Sequence, residues 1–176
     1  PQGSADELYD PIHYLISLGG KRIRPILALA ACEAEGGQLE AAMPVAMAVE
    51  LFHNFTLMHD DIMDEAPLRR GRPTVHTKWS ENVAILSGDV MYTLAMTALE
   101  GTPSSALKEV LRQFNETSKE VCEGQQSDMA FEVRDNVTVD EYLKMIRLKT
   151  SVLLAASAAM GASAAGASPE RVEAWY

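Results

Sequence analysis

The chain has 176 residues, of which 47% are hydrophobic, and its formal net charge is −10. An acidic chain without a basic stripe is a poor candidate for binding nucleic acid, and its length suits one hydrophobic core. Its two cysteines lack metal-ligand spacing, so we expect a reducing compartment, the cytoplasm. No signal peptide is recognised, and no segment qualifies as a membrane-spanning helix, so no membrane insertion is expected. The apolar stretch 151–167 is rich in Ala, Ser and Gly, which indicates close helix packing.

Apolar residues recur at helical spacing along the chain, and no alternating strand-like run is found, so we predict an all-α protein. The predicted helices lie near residues 6–18, 25–35, 39–65, 82–100, 105–132, 139–165 and from 169 onward. Thr138 with Glu141 predicts a capping box, and Ser168 predicts a cap followed by Pro169 at the first helical position. Pro44 suggests that the third helix starts later than residue 39. Without a repeat or a low-complexity linker, we expect a single domain over residues 1–176.

A cluster of cations, within Gly19–Pro25, precedes the second predicted helix. Proline suits the first position of a helix, so we expect Lys21 and Arg24 to lie at a helix N-terminus. Free backbone amides and the helix dipole favour an anion there. Stray positive charge in a loop is the alternative. In a chain of net charge −10, three cations in four residues favour an anion-binding site.

The third predicted helix ends in three carboxylates, Asp60, Asp61 and Asp64. At about 100° per residue, Asp60 and Asp64 lie roughly 40° apart, one turn from each other. Carboxylate oxygens favour hard ions such as magnesium. Arg69 and Arg70 follow, and guanidinium groups suit phosphate oxygens. A solvated acidic face is the commoner role of such a run, but this one ends an apolar stretch. The combination therefore predicts a magnesium-dependent diphosphate site.

Four further polar residues are less specific when each is considered by itself. His53 lies seven residues before Asp60, about 20° away around the helix, so it is either a core histidine or a ligand contact on the carboxylate face. Gln125 and Asp128 lie about 60° apart on one predicted helix, which by itself indicates ordinary surface polarity. Lys149 interrupts an apolar helix, so its ammonium group either reaches the surface or faces an anion.

In sequence order, these motifs resemble those of the trans-isoprenyl diphosphate synthases, the polyprenyl synthetase family. The matching segments are Gly19–Pro25, Leu57–Asp64 with Arg69-Arg70-Gly71, Gly124–Asp128 and Lys149-Thr150. The resemblance runs from about residue 12 to the end of the chain. It implies a bundle of mostly antiparallel helices around a central cavity, and a homodimer. The family's second aspartate-rich motif is not found in these residues, so we expect the domain to be incomplete at its C-terminus.

The resemblance also implies the reaction, which is a condensation of isopentenyl diphosphate with an allylic diphosphate. Magnesium would bind to Asp60, Asp64 and Asp128, and Asp61 would support the site through its neighbours. The allylic diphosphate would contact Arg69, Gln125, Lys149 and Thr150. The catalytic residues would be Asp60, Asp61, Asp64, Arg69 and Lys149. Isopentenyl diphosphate would contact Lys21, Arg24, His53 and Arg70.

Product length is also predicted from the resemblance. In this family the residue five positions before the first aspartate commonly forms the floor of the pocket for the prenyl tail. Here that residue is Phe55, with Phe52 one turn below. An aromatic floor blocks a growing chain, so we expect an all-trans product of fifteen or twenty carbons.

Two alternative functions remain open from the sequence. A class I terpene cyclase also uses an aspartate-rich helix and magnesium, but it needs a single diphosphate site, which would leave Lys21, Arg24 and Arg70 without a function. A non-catalytic subunit or fragment that binds prenyl diphosphate is favoured by the missing second motif. The reading frame beyond Tyr176 would distinguish an enzyme from a fragment.

Overall fold

A computed structural model describes residues 6–176, with only the backbone of Asp6, and confirms the prediction of an all-α protein. The helices are α1 Asp6–Ser17, α2 Ile23–Ala34, α3 Leu39–Met63, α4 Val75–Lys78, α5 Glu81–Leu99, α6 Ser104–Phe131, α7 Val139–Ile146, α8 Val152–Ala164 and α9 Pro169–Trp175. Residues Arg147–Ser151 form a π-helical turn between α7 and α8, and the two short strands are β1 Leu68–Arg69 and β2 Arg72–Pro73.

Prolines account for two differences from the predicted helix starts. We predicted Pro25 as the first residue of the second helix. Helix α2 begins at Ile23, so Pro25 is its third residue. The first four N–H groups of a helix have no intrahelical partner, so a proline fits there without loss of a hydrogen bond. Helix α3 begins at Leu39 and contains Pro44, so its start is not delayed. The residues that follow, Val45 and Ala46, are buried, and this burial offsets the missing backbone bond.

The two predicted helix caps are confirmed. The Thr138 side chain accepts a hydrogen bond from the Glu141 backbone, and the Glu141 side chain accepts one from the Thr138 backbone. The Ser168 side chain accepts from the Arg171 backbone, with Pro169 opening α9. Both caps satisfy N–H groups that a helix leaves without partners at its start.

The described residues form two compact units, one of residues 6–22 and 47–98 and the other of residues 23–46 and 99–176. In the first unit, buried residues of α1, α3, α4 and α5 pack into one core: Ile12, Leu15, Met58, Val75, Ala84 and Met91. The Tyr14 hydroxyl donates to the Pro73 carbonyl at 2.8 Å, which links α1 to β2. The Lys78 ammonium group lies 3.8 Å from the centre of the Tyr14 ring.

In the second unit, α2 and α8 pack closely through small residues. Ala31, Ala158 and Ala162 are buried together. A Cβ added at Gly161 would lie 2.0 Å from the Ala28 carbonyl oxygen, so only glycine allows this approach. Close packing of this alanine-rich stretch agrees with the sequence-based interpretation.

Three helical segments are long and apolar enough to cross a membrane by length and composition alone: Leu39–Met63, Glu81–Leu99 and Val139–Ala164. The prediction that no segment has these properties is therefore wrong. Their 18-residue windows reach a mean hydropathy of 1.2 to 1.3. Alanine and methionine are abundant in them and raise the hydropathy even where they serve helix packing.

Candidate active site

The aspartate-rich motif lies at the end of α3, in the first unit. Asp60 and Asp61 belong to the last turn of the helix, and Asp64 follows directly after its final residue, Met63. The Asp64 N–H still donates to the Asp60 carbonyl at 2.9 Å. Helical spacing therefore extends to Asp64, and the structure places two of the three predicted metal ligands, Asp60 and Asp64, one turn apart.

A two-stranded hairpin follows and separates the two arginines. Leu68 pairs with Pro73 and Arg69 with Arg72, which leaves Arg70 and Gly71 as a two-residue loop. Both loop residues have positive φ, 53° and 76°, as a type I′ hairpin turn requires. Arg69 thus lies on a strand and Arg70 at the tip of the turn. The two arginines are adjacent in sequence, but their guanidinium groups have different surroundings.

Arg69 binds Asp61, and this ion pair distinguishes the neighbouring aspartates. The Arg69 Nε lies 3.0 and 2.9 Å from the two Asp61 carboxylate oxygens, and Nη2 lies 2.8 Å from Oδ1. The Asp61 side chain is only 3% exposed, whereas that of Asp60 is 20% exposed and lies 4.0 Å from Arg69 Nη2. Asp61 is therefore placed to orient Arg69, and Asp60 is the more accessible of the two carboxylates.

Gly20, which precedes Lys21, lies against the tip of the hairpin. A Cβ added at Gly20 would lie 3.1 Å from Arg70 Nη2 and 3.2 Å from Nη1, so the loop passes directly beside this guanidinium group. Gly20 has a φ of 148°, which a residue with a side chain rarely adopts. Lys21 is the next residue and is exposed. The backbone that leads into Lys21 therefore lies beside Arg70, and both residues are predicted to bind isopentenyl diphosphate. Arg24 is the second residue of α2 and belongs to the second unit.

Sequence reasoning missed the residues that hold this loop. Arg22 forms an ion pair with Glu50 of α3 and donates to the Ile16 carbonyl at 2.8 Å. The Asn54 amide donates to the same Glu50 carboxylate at 2.9 Å. Arg22 is a non-glycine residue with a φ of 51°, a conformation that these contacts stabilise. A polar pair at spacing i, i+4 within an apolar helix, Glu50 and Asn54, was the available signal.

The predicted chain-length residues form part of an aromatic cluster in the first unit. The ring of Phe55 lies 5.6 Å from that of Phe52, 5.5 Å from that of Tyr92 and 4.7 Å from that of His59. Phe52 is 1% exposed, whereas Phe55 is half-buried. His53 is also half-buried on α3. The two phenylalanines lie one turn apart, as the sequence predicts.

The remaining predicted residues lie in the second unit. Gln125 and Asp128 are on α6, and Lys149 and Thr150 are in the π-helical turn. The Lys149 Nζ lies 2.5 Å from Asp128 Oδ2. The anion that Lys149 faces in the structure is therefore a carboxylate of the protein. The Gln125 Nε2 is buried and donates no hydrogen bond within residues 6–176, so it could donate to an acceptor on a ligand.

Over the part of the chain that is described, no three His, Cys, Asp or Glu side chains gather into a metal-binding group. Magnesium is usually bound by one or two protein carboxylates together with substrate phosphates and water. Asp60 and Asp64, one turn apart and offering only oxygen ligands, match that requirement. The donor set therefore fits magnesium in the presence of a diphosphate.

The sequence profile of polyprenyl synthetases matches residues 5–176. The chain belongs to the polyprenyl synthetase family. A geranylgeranyl diphosphate synthase of Methanosarcina mazei is 49% identical over 99% of this chain and 54% of its own length. A short chain isoprenyl diphosphate synthase of Methanothermobacter thermautotrophicus is 47% identical over 92% of this chain and 50% of its own.

Solved structures agree with this family membership. The crystal structure of a geranylgeranyl pyrophosphate synthase matches with a TM-score of 0.95 and 49% identity, covering 100% of this chain and 54% of that one. The resemblance inferred from the four motifs is confirmed. This polyprenyl synthetase chain spans about half the length of the curated relatives it matches.

Proposed function

We propose that the protein is a trans-prenyltransferase that condenses isopentenyl diphosphate with an allylic diphosphate. The main observation in support is that Arg69 and Arg70, adjacent in one hairpin, lie beside different groups. Arg69 lies beside Asp60 and Asp61, whereas Arg70 lies beside the Gly20-Lys21 loop. A reaction between two diphosphates needs two such cationic sites. The relatives named as geranylgeranyl and short chain isoprenyl diphosphate synthases support the same reaction.

The allylic diphosphate is the substrate that loses its diphosphate group. Asp60, Asp64 and Asp128 would hold magnesium, which when bound neutralises the diphosphate and makes it a better leaving group. Arg69 and Lys149 donate hydrogen bonds to its oxygens and stabilise the negative charge that develops as the carbon–oxygen bond breaks. Asp61 keeps the Arg69 guanidinium oriented for this task. Gln125 and Thr150 are proposed as further contacts of the same substrate.

Isopentenyl diphosphate is the substrate that keeps its diphosphate group, which Lys21, Arg24, His53 and Arg70 are proposed to bind. When the allylic carbon–oxygen bond breaks, the bonding electrons leave with the diphosphate and an allylic cation remains. The double bond of isopentenyl diphosphate attacks that cation and forms the new carbon–carbon bond. A proton then leaves the adjacent carbon, the departing diphosphate accepts it, and a trans double bond results.

The proposed product is an all-trans prenyl diphosphate of fifteen or twenty carbons. The aromatic cluster around Phe55 supports a short product, because Phe52, Phe55 and Tyr92 fill space that a longer tail would need. We also propose that the protein is a cytoplasmic homodimer. Helix α5 supports the dimer, since it is apolar along its length but only 33% of its 18-residue window is buried.

The reaction can be tested on the protein encoded by the complete reading frame. We expect it to convert isopentenyl diphosphate and an allylic diphosphate, in the presence of magnesium, to a longer prenyl diphosphate with release of inorganic diphosphate. Chromatography with mass spectrometry identifies the product. Turnover of the allylic diphosphate alone to a cyclic hydrocarbon would indicate a terpene cyclase instead. Binding of both substrates without turnover would indicate a non-catalytic subunit.

A further inference from the structure

The helix that carries Lys149 changes its geometry at this residue. Arg147–Ser151 form a π-helical turn, and the Val152 N–H donates to the Arg147 carbonyl five residues earlier. A π turn contains one residue more than the α-helical turn it replaces, and such turns are frequent at functional sites. Lys149 is the middle residue of this turn. The direction of the Lys149 side chain around the helix axis therefore depends on the π-helical geometry of this turn.

The backbone of this turn lies directly against Gly124 of α6. A Cβ added at Gly124 would lie 2.3 Å from the Lys149 nitrogen, 2.7 Å from the Leu148 carbonyl carbon and 2.8 Å from the Lys149 Cα. Backbone atoms cannot move aside as the end of a flexible side chain can. Any residue other than glycine at position 124 must therefore displace the turn that carries Lys149.

The same face of α6 carries the partner of Lys149. Asp128 lies one turn after Gly124, and its carboxylate binds the Lys149 ammonium group. Both side chains remain accessible, with exposures of 26% for Lys149 and 32% for Asp128. Gly124 and Asp128 thus contact one π turn from one helix, the first through its backbone and the second through its carboxylate.

We propose that Gly124 is a positioning residue, which sets the distance between α6 and the π turn and so aligns the Lys149 ammonium group with the Asp128 carboxylate. This inference rests on the proposed function, in which Asp128 and Lys149 bind the magnesium-bound allylic diphosphate. Gly124 touches no substrate and acts through Lys149. Gln125 and Asp128, its neighbours in the motif, have side chains that are proposed to reach the site. Gly124 has no side chain, and this allows the π turn to approach α6.

The experiment compares two glycines at which an added Cβ would meet backbone atoms, at 2.3 Å for Gly124 and 2.0 Å for Gly161. Gly124→Ala is the test variant, and Gly161→Ala, which faces the Ala28 backbone between α2 and α8, is the matched packing control. Both are made in the protein from the complete reading frame. Isothermal titration calorimetry with inorganic pyrophosphate and magnesium measures binding without turnover. Steady-state kinetics measures the Michaelis constant for the allylic substrate. We expect Gly124→Ala to weaken pyrophosphate binding about tenfold or more, as the loss of one charged contact would. Gly161→Ala should lower the melting temperature without this loss.

A double-mutant cycle separates positioning from packing. If Gly124→Ala acts through Lys149, it should add little to the binding defect of Lys149→Ala, since the group it displaces is already gone. Full additivity would overturn the proposal. So would wild-type pyrophosphate binding in a folded Gly124→Ala protein.

A second variant decides the matter if Gly124→Ala does not fold. Deletion of Ser151 converts the π turn to an α-helical turn and rotates Lys149 away while the flanking helices stay in phase. The same binding defect is expected, and normal binding would overturn the proposal. Failure of the proposed function would be distinct: the wild-type protein would then show no prenyl transfer, whatever the glycine variants did.

Discussion

Asp60 and Asp61 are adjacent in sequence but have different surroundings. The Asp61 carboxylate is buried and accepts hydrogen bonds from Arg69 through both oxygens, whereas Asp60 is partly exposed. Substitution should therefore affect the two positions differently. Asp61→Ala removes one partner of an ion pair whose acid is buried, so we expect a loss of stability of about 1–3 kcal/mol. Thermal melts of the variant beside Asp60→Ala measure this difference, and equal melting temperatures would contradict it.

Turnover should depend on magnesium bound by Asp60 and Asp64. Asp60→Ala and Asp64→Ala in the protein from the complete reading frame should each lower turnover by orders of magnitude, because a metal ligand contributes several kcal/mol of transition-state stabilisation. Folding should change little, since Asp60 is partly exposed and Asp64 lies just beyond the helix. Kinetics across a magnesium titration, with circular dichroism as the folding control, provide the measurement. Wild-type rates in both variants, or turnover without magnesium, would refute the assignment.

The two diphosphate sites should also be separable by kinetics. Lys21→Ala or Arg24→Ala should chiefly raise the Michaelis constant for isopentenyl diphosphate, whereas Arg69→Ala should impair use of the allylic substrate. Loss of one charged contact costs about 1.5–3 kcal/mol, which corresponds to roughly 10- to 150-fold. Unchanged isopentenyl diphosphate kinetics in Lys21→Ala would mean that the cation cluster is structural.

Residue types and spacing were enough to predict the candidate site residues, but not their partners. The segment Lys21-Arg22-Ile23-Arg24 offers three cations that look alike in sequence. Only the structure shows that Arg22 is engaged by Glu50, a residue 28 positions away. Contacts of this kind depend on how helices pack, and a local pattern does not contain that information.

At the scale of secondary-structure elements, the long helices were predictable and the short irregular elements were not. Helices such as α6 have many turns of periodic apolar residues, so their ends were predicted within a residue or two. The hairpin has only two residues in each strand, and its turn is Arg70-Gly71 where Asn-Gly or Asp-Gly would be the usual signal. The π turn has no local signature either, because its geometry accompanies the backbone contact with Gly124.

The capping box of α7 leads to a prediction about pH. The Thr138 N–H, followed by Arg134 and the Thr138 hydroxyl, lowers the pKa of Glu141 from 4.5 to about 2. A pKa that is lower in the folded than in the unfolded protein stabilises the fold above about pH 4.5, and this stabilisation disappears as the pH falls toward 2. Glu141→Gln should therefore melt at a lower temperature than the wild type at pH 7, and the difference should shrink below pH 4.5.

Thermal melts between pH 7 and pH 3 measure this difference. Glu132→Gln, at an exposed glutamate just after α6, is the control for the loss of a carboxylate outside the cap. A difference for Glu141→Gln that persists unchanged down to pH 3 would contradict the role of its charge in the cap.

At the scale of the whole molecule, product length depends on the room available to the prenyl tail. Phe55 is half-buried and contacts Phe52 and Tyr92, so Phe55→Ala removes an aromatic ring from this cluster with limited loss of core packing. We expect longer products from Phe55→Ala than from the wild type, and chromatography of the dephosphorylated products measures their length. Wild-type products of thirty carbons or more, or an unchanged length in the variant, would contradict this role for Phe55.

The proposed homodimer can be tested through α5. Leu86 of this helix is 57% exposed, as is Leu143 of α7, so the two leucines form a matched pair. If α5 forms the dimer interface, Leu86→Glu places a charge in a buried apolar contact and should yield a monomer, since a buried unpaired charge is strongly unfavourable. Leu143→Glu should remain a dimer. Sedimentation velocity of both variants and the wild type gives the masses. A wild-type monomer would refute the dimer, and a dimeric Leu86→Glu would show that the subunits meet through another surface.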